Sequence, residues 1–481
     1  MPELCELDGY ILTRQAKDVA NKVETSYWVK TDKGCLKVIP AKQQCVFFVS
    51  IDALDLLQGL PCIQLIKQAY YSFSDEALCL VACDSLKVQS QVVALLARNN
   101  LAYYEHDVRP DDRYIMERNI RGGVKIQGYL SEDNKTLHQA RMKPSSYSPH
   151  WNIWSLDIET SVTRNCILSI AVVSDQIEVC FMVTGQTFSD ERIYSFDDEK
   201  SLLLAFMRFT KLHCPNIIIG WNVIGFDLNF IDQRCHSFGL KPAFGVDGLN
   251  WNVRGREGSS KRFISIPGRA VLDGIDLLKV AGYHFDSYSL DNVSREILDD
   301  GKLLHGSQRW QEIERLHEED PLAFVDYNLQ DCWLVWRIFT KLNLIELQQT
   351  RVDLTGIPFA QTGGSVQAFE NQYLPLLHKL KRAAPNYSKE EFIASPGGFV
   401  MSSVPGLYKN VLVFDFKSLY PSIIRTFLVD PLARVSQSTQ RVEGFIGASY
   451  SKETSILPNL ITELANARED AKAHNNDILS Y

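Results

Sequence analysis

The sequence predicts a multidomain α/β protein of the α+β kind, and three observations carry that expectation. At 481 residues the chain is long enough for roughly three domains of about 100–200 residues each. Strand-like runs rich in β-branched and aromatic residues lead to a Pro- and Ser-rich segment, "RMKPSSYSPHW", and beyond it a strand meander gives way to alternating helices and strands. Gly and Pro break the text again from "PFAQTGGSVQ" to "ASPGGFVMSSVPG" before a further strand and helix. The breaks divide the chain into an N-terminal mixed β/α domain (1–148), a second domain (149–350), an interdomain crossing placed to pack on the first domain (351–395), a segment opening on a strand (396–452) and a terminal helix (453–481).

Taken in order, "GYILTRQA", "TSYWVKT" and "CVFFVS" read as strands, and "LKVQSQVVALLARNN" as a helix stopped by Asn-Asn. The basic cluster Arg109, Arg113, Arg118 and Arg121 reads equally as a nucleic-acid contact and as a solvated face with internal ion pairs. In the second domain "WNIWSLDIE", "CILSIAVV" and "QIEVCFMV" read as strands and "EKSLLLAFMRFTKLH" as a helix. "NIIIGWN" is a short strand, and "FDLNFIDQRCHSFG" a helix stopped by Gly239. At 250–270, Gly258-Ser259-Ser260 lies between two strand-like arms, as in a hairpin, with Arg254, Arg256, Lys261, Arg262 and Arg269 against a single acid, Glu257. "PLAFVDYNLQDCWLVWRIFTKLNLIELQQ" predicts one long amphipathic helix with Pro321 in its first turn. "NVLVFDF" predicts a strand, and "SLYPSIIRTF" and "LPNLITELANAREDAKAH" predict helices.

The composition excludes several classes. Hydrophobic content of 45% and charged content of 22% are those of a globular chain. Eleven scattered cysteines, an odd number with only a CxxxC pair at Cys79 and Cys83, argue against a zinc ribbon and a disulfide framework, and for a reducing, cytoplasmic compartment. No stretch approaches the ~20 apolar residues of a membrane span, and "MPELCELDGY" lacks the features of a signal peptide. A net charge of −8 weighs weakly against a surface coated in nucleic acid, because local distribution decides.

Chemistry concentrates in four carboxylates. Asp157 and Glu159 are two apart on a strand, so both project from one face while Ile158 enters the core. Two adjacent acids repel unless a cation sits between them, and carboxylate oxygens suit Mg²⁺ or Mn²⁺ rather than zinc. Asp227 opens one helix and Asp331 lies on another, with Tyr327 at i−4 on the same face, its hydroxyl placed to orient a water. Four carboxylates from three elements can hold two cations about 3.5–4 Å apart, the arrangement for in-line phosphodiester cleavage. Alone, an Asp-x-Glu on a strand is usually salt-bridged, an Asn-x-x-x-Phe-Asp is usually a helix cap, and a Tyr-x-x-x-Asp occurs on any helix. Together, in this order and between buried strands, they outweigh those readings.

These three segments resemble the Exo I, Exo II and Exo III motifs of DEDD-type 3′–5′ exonucleases in the tyrosine variant. The resemblance implies an RNase H-like fold for 149–350, two divalent cations held by Asp157, Glu159, Asp227 and Asp331, and contacts from Asn222 and Phe226 to a frayed 3′ strand. The hairpin residues Arg254, Arg256, Lys261 and Arg262 are then placed to meet DNA and help part the 3′ strand from its template. "DFKSLYPSIIR" resembles motif A of family B DNA polymerases. That implies Asp415 as a metal ligand, a carbonyl from Phe416, backbone amides of Ser418 and Leu419 on an incoming deoxynucleoside triphosphate, and Tyr420 as the gate against a 2′ hydroxyl. A strand end leading into a helix N-terminus suits a phosphate. Arg468 and Lys472, one turn apart, read alone as a solvated helix face beside Glu469 and Asp470; the resemblance makes them triphosphate contacts on a first fingers helix, with 396–452 as partial palm. It also implies DNA and a sliding clamp as partners and a monomeric enzyme. Where many members have Tyr-x-Gly-Gly/Ala between the two activities, this chain has Ser395-Pro396-Gly397-Gly398. Neither an Asp-Thr-Asp hairpin nor a second fingers helix is found, so the expectation is an N-terminal portion of a longer polymerase with a complete exonuclease site and no primer extension. A free-standing exonuclease would lack motif A, and an inert DNA-binding fragment would have a broken carboxylate set.

Overall fold

The structure, a computed structural model, describes residues 4–255, 261–301, 309–386, 400–435, 437–444 and 447–474. The chain opens with three strands, β1 (Leu4–Val19), β2 (Lys22–Thr31) and β3 (Gly34–Pro40). There follow β4 (Cys45–Ser50), α1 (Leu54–Leu57), β5 (Ile63–Tyr71), β6 (Ala77–Cys83), α2 (Leu86–Arg98) and β7 (Tyr103–Tyr104). Then come α3 (Pro110–Met116), β8 (Gly123–Leu130) and β9 (Thr136–Pro144). Strands β1-β2-β3-β9-β8 close a barrel in which β3 and β9 run parallel. Its interior is Ile11, Tyr27, Val29, Val38, Val124 and Ile126, capped by Ile115 of α3. Helix α3 starts on Pro110, with Asp111 and Asp112 in its first turn as the helix dipole favours. Strands β5-β6-β4-β7 form a separate antiparallel sheet that buries Val92 and Leu96 of α2. The Pro- and Ser-rich segment read as a linker from Arg141 is strand as far as Pro144, because Met142 still enters the barrel core.

The next sheet has the order β13-β12-β11-β10-β14-β17. It is built from β10 (Ile153–Ser161), β11 (Cys166–Val173), β12 (Glu178–Val183), β13 (Ile193–Phe196), β14 (Ile217–Gly220) and β17 (Ala270–Asp273). Central strand β10 is antiparallel to β11 and parallel to β14. Even-numbered Trp154, Leu156 and Ile158 face α4 (Glu199–His213) and α5 (Asp227–Ser237) across a core with Phe206 and Ile231. Odd-numbered residues face the opposite layer: Ser155 donates to the Cys332 carbonyl at 2.8 Å. That layer holds α6 (Gly274–Val280), α7 (Leu290–Leu298), α8 (Arg309–Glu319) and α9 (Pro321–Lys341), whose Leu334 and Ile338 pack on Ile217 and Leu272. This helix-covered mixed sheet is the RNase H-like unit the motifs imply. The expected hairpin arms are β15 (Asn252–Gly255) and β16 (Arg262–Ser265), antiparallel with Gly255 opposite Arg262.

The long helix expected over 321–349 is two. Asn343 takes a left-handed backbone (φ 49°) and ends the run, and α10 (Leu344–Thr355) starts afresh until Gly356 (φ 70°) stops it. Among the described residues of the crossing beyond it lies one further helix. Helix α11 (Ser365–Lys379) puts Tyr373, Leu374 and Leu377 against Met116, Leu432 and Ile456. Further on lie α12 (Leu419–Phe427), α13 (Pro431–Val435), β18 (Arg441–Glu443), β19 (Ser449–Ser451) and α14 (Ile456–Ala473). Buried Asp430 joins three of these helices, accepting the Tyr373 hydroxyl at 2.9 Å and the N–H groups of Ala433 at 3.0 Å and Leu457 at 2.8 Å. The strand expected at "NVLVFDF" is not formed. Val413 is 90% and Phe414 87% exposed, and among the described residues no strand pairs with this run, so its backbone has no ladder to join.

Candidate active site

Period-two geometry on β10 turns Asp157 and Glu159 toward α9, where Asp331 projects back at them. Carboxylate oxygens of Asp157, Glu159 and Asp331 lie within 4.8 Å of one another. Glu159 and Asp331 are buried and Asp157 half-buried. Asp227 adjoins this group from α5: its Oδ1 accepts the Ile158 N–H at 3.0 Å. Burial, and secondarily the nearby Asp157, push the Asp227 carboxyl well above the usual carboxylate range. Like charges gathered this closely out of water are costly unless a cation joins them, and a set made only of hard oxygens fits Mg²⁺-class ions. Tyr327, one turn before Asp331 and buried with it, directs its hydroxyl to Asp331 Oδ2 at 3.4 Å.

A cleft of about 540 Å³ opens over Asp157, Glu159 and Asp227. Phe226 lies on its wall, 43% exposed and stacked on Phe230 with ring centroids 5.9 Å apart. Asn222 is exposed beside it with a left-handed backbone (φ 57°). Sequence reasoning missed what holds this turn. Asp273, at the end of β17, accepts the N–H groups of Asn222 at 3.3 Å and Ile224 at 3.4 Å while capping α6 through Ile275 N–H at 3.0 Å. Burial, and then Asp276, raise the Asp273 carboxyl to about 6. The available signal was the acid between an apolar strand and a helix, an N-cap position. Trp310 of α8, 41% exposed on the far wall, was also missed, and in the sequence nothing distinguishes it from a core aromatic.

On the hairpin, Arg254 and Lys261 are exposed and Arg262 half-buried; Arg256 lies outside the described residues, as does the Ser395–Gly398 linker. Arg269 is no surface cation. It is 1% exposed, and its guanidinium donates to the carbonyls of Phe244 at 2.6 Å and Thr210 at 3.1 Å. The arginines of the N-terminal cluster make intramolecular contacts, with Arg109 and Arg118 exposed. Arg113 pairs with Glu105 at 2.9 Å, Arg109 with Asp111 at 3.1 Å, Arg121 meets Gln372 at 2.8 Å, and Arg118 lies 3.9 Å over the Tyr114 ring.

The second constellation is not gathered. Asp415 and Phe416 lie in the exposed run before α12, where the Phe416 N–H bonds to Asp415 Oδ1 at 2.8 Å. Ser418 (φ 53°) precedes α12, Leu419 and Tyr420 begin it, and all three are exposed. Arg468 and Lys472 are exposed on α14, which is tied to this run by Lys417–Glu469 at 2.9 Å. Among the described residues Asp415 joins no group of three potential metal ligands.

Acids converging from one strand and two helices give the donor set of a divalent-cation site, and a second, ungathered motif follows it. Residues 101–293 match the exonuclease domain of DNA polymerase family B, and residues 358–478 match DNA polymerase family B itself. DNA polymerase II of Escherichia coli is 36% identical over 98% of this chain and 62% of its own length. The DNA-directed DNA polymerase of Escherichia phage RB69 is 29% identical over 59% of this chain and 34% of its own. The family B DNA polymerase of the archaeon Pyrobaculum calidifontis superposes with a TM-score of 0.77 at 17% identity, covering 98% of this chain and 66% of that one, a likeness of fold. The chain belongs to the family B DNA polymerases. It spans less than two thirds of the length of the E. coli relative. Among the described residues, no helix is long and apolar enough to cross a membrane.

Proposed function

We propose that this chain removes nucleotides from the 3′ end of single-stranded DNA by two-metal phosphodiester hydrolysis, as the proofreading unit of a DNA polymerase II-like enzyme. The observation that carries this reading is that Asp157, Glu159 and Asp227 line one cleft, with buried Asp331 bringing a carboxylate oxygen within 4.8 Å of those of Asp157 and Glu159. These four would hold Mg²⁺ or Mn²⁺; when bound, such cations lower the pKa of an attacking water and stabilise the leaving 3′ oxygen. Tyr327, within reach of Asp331, is placed to orient that water. Phe226 offers an exposed ring on which an unpaired terminal base stacks, with Asn222 beside it. Arg254, Lys261 and Arg262 supply positive charge for the strand backbone.

The same reading takes 149–350 as the exonuclease domain and 1–148 as a separate N-terminal domain. It assigns Asp415 to metal binding for nucleotide transfer, and Phe416, Ser418, Leu419, Tyr420, Arg468 and Lys472 to the incoming deoxynucleoside triphosphate. It further includes a monomer in the cytoplasm with a sliding clamp as partner. The test is a 5′-labelled single-stranded oligonucleotide incubated with purified protein and Mg²⁺. A ladder shortening from the 3′ end, abolished by chelation, supports the reading; an intact oligonucleotide, or shortening that survives EDTA, rejects it. A primed template with nucleotides, run in parallel, measures the second activity.

A further inference from the structure

Helix α9 carries an asparagine where a helix gains least from one. Asn328 lies inside a 21-residue helix, one residue after Tyr327 and three before Asp331. Asparagine is among the poorer helix formers, and its amide is costly to bury unless bonded. Asn328 is fully buried. Its Nδ2 donates to Asp157 Oδ2 at 2.7 Å, and its Oδ1 accepts the Ser169 hydroxyl at 2.6 Å. Ser169 is also fully buried, on β11 opposite Glu159 in the strand ladder. A hydroxyl, an amide and a carboxylate are thus linked from β11 through α9 to β10.

We propose that Asn328, fixed by Ser169, is a positioning residue that sets the orientation of the Asp157 carboxylate and thereby the cation affinity of the exonuclease site. This inference rests on the reading of that site as a metal-dependent nuclease. An amide has a donor end and an acceptor end of nearly equal size. The Ser169 hydroxyl, bonded to the oxygen, selects the orientation in which the N–H end meets the acid. A carboxylate held at one oxygen cannot swing freely about its terminal torsion, so its plane is set against Glu159 and Asp331. The donor is neutral, which the site requires. A lysine or arginine here would supply positive charge and displace the need for a cation, and an acid would add repulsion. Partners of this kind, one bond behind a ligand, typically account for about 10–100-fold in metal affinity.

The test uses the full chain and reads Mn²⁺ binding directly, by the electron paramagnetic resonance signal of free Mn²⁺, with no DNA present. Asn328→Ala is expected to weaken Mn²⁺ binding by about 10–100-fold. Ser169→Ala is expected to weaken it less, and the double variant to be no worse than Asn328→Ala, because the serine acts only through the amide. In the cleavage assay the Mg²⁺ midpoint should rise while saturating Mg²⁺ restores most of the rate. Mn²⁺ affinity within twofold of wild type in Asn328→Ala, with the melting temperature lowered, would assign Asn328 to packing alone and overturn the proposal. Should Asn328→Ala fail to fold, Ser169→Ala decides: unchanged affinity overturns it, weakened affinity supports it. A wild-type chain that neither binds Mn²⁺ nor cleaves DNA overturns the nuclease reading itself, whereas a competent wild type indistinguishable from both variants overturns only this inference.

Discussion

Single residues set the chemistry, and the turn between β14 and α5 is held by one of them. Asp273 takes three backbone N–H groups, so Asp273→Ala removes the acceptor of three part-buried donors and should cost about 1–3 kcal/mol. Its pH signature runs against intuition. Because burial raises the folded-state carboxyl from 3.8 to about 6, its contribution to stability is fully present below pH 4 and is lost as pH rises through 6. Urea unfolding of wild type and Asp273→Asn at pH 4 and pH 7 should therefore show the wild type losing ground to the variant, by on the order of 2–3 kcal/mol, as pH rises. Phe226→Ala is a different matter. The ring is 43% exposed, so the fold should persist while the KM for single-stranded DNA rises about tenfold or more, as loss of one base stack implies. The four acids were legible in the sequence because their spacings occur together and in order: two apart on a strand, opening a helix, and one turn after Tyr327 inside another. Asp273 and Arg269 were not. Asp273 acts through backbone groups 49 to 51 residues away. Arg269 resembles its basic neighbours until the fold closes carbonyls around it.

At the level of elements, the strands and helices of the central sheet were readable from period and caps, since each buries a continuous apolar face. The departures share a cause, which is dependence on neighbours. Residues 321–349 keep helical periodicity through Asn343, and only the left-handed backbone there divides them. The 411–416 run is as apolar as β10 but lacks a paired strand among the described residues. The hairpin carries a quantitative expectation. If Arg254 and Lys261 each neutralise one phosphate, replacing either with alanine should reduce the slope of log affinity against log salt by about 0.7 on single-stranded DNA. Fluorescence anisotropy across a salt series measures it, and an unchanged slope removes the residue from the DNA path.

Across the whole molecule, the nuclease unit is fastened to the barrel by Gly268 N–H on the Thr13 hydroxyl at 2.7 Å and by Lys135–Asp247 at 2.7 Å. The α11 region is fastened to the N-terminal part by buried Glu105, which pairs with Arg113 and His378, each at 2.9 Å, and accepts the Ala384 N–H at 2.8 Å. Burial opposes the Glu105 charge, but His378 and Arg113 overcome it and hold the carboxyl below its usual range. Glu105→Ala should cost about 1–3 kcal/mol, because it removes the buried acceptor of Arg113, His378 and the Ala384 N–H while Arg113 keeps Glu117 at 3.2 Å, and calorimetric melting tests it. The central claim concerns the acids at the cleft floor, and one measurement addresses it most directly: the rate of 3′ shortening of single-stranded DNA by Asp157→Ala against wild type at saturating Mg²⁺. The convergent-carboxylate account predicts a loss of at least about a hundredfold in a variant that still folds and melts cooperatively. Shortening at the wild-type rate by the variant would contradict it.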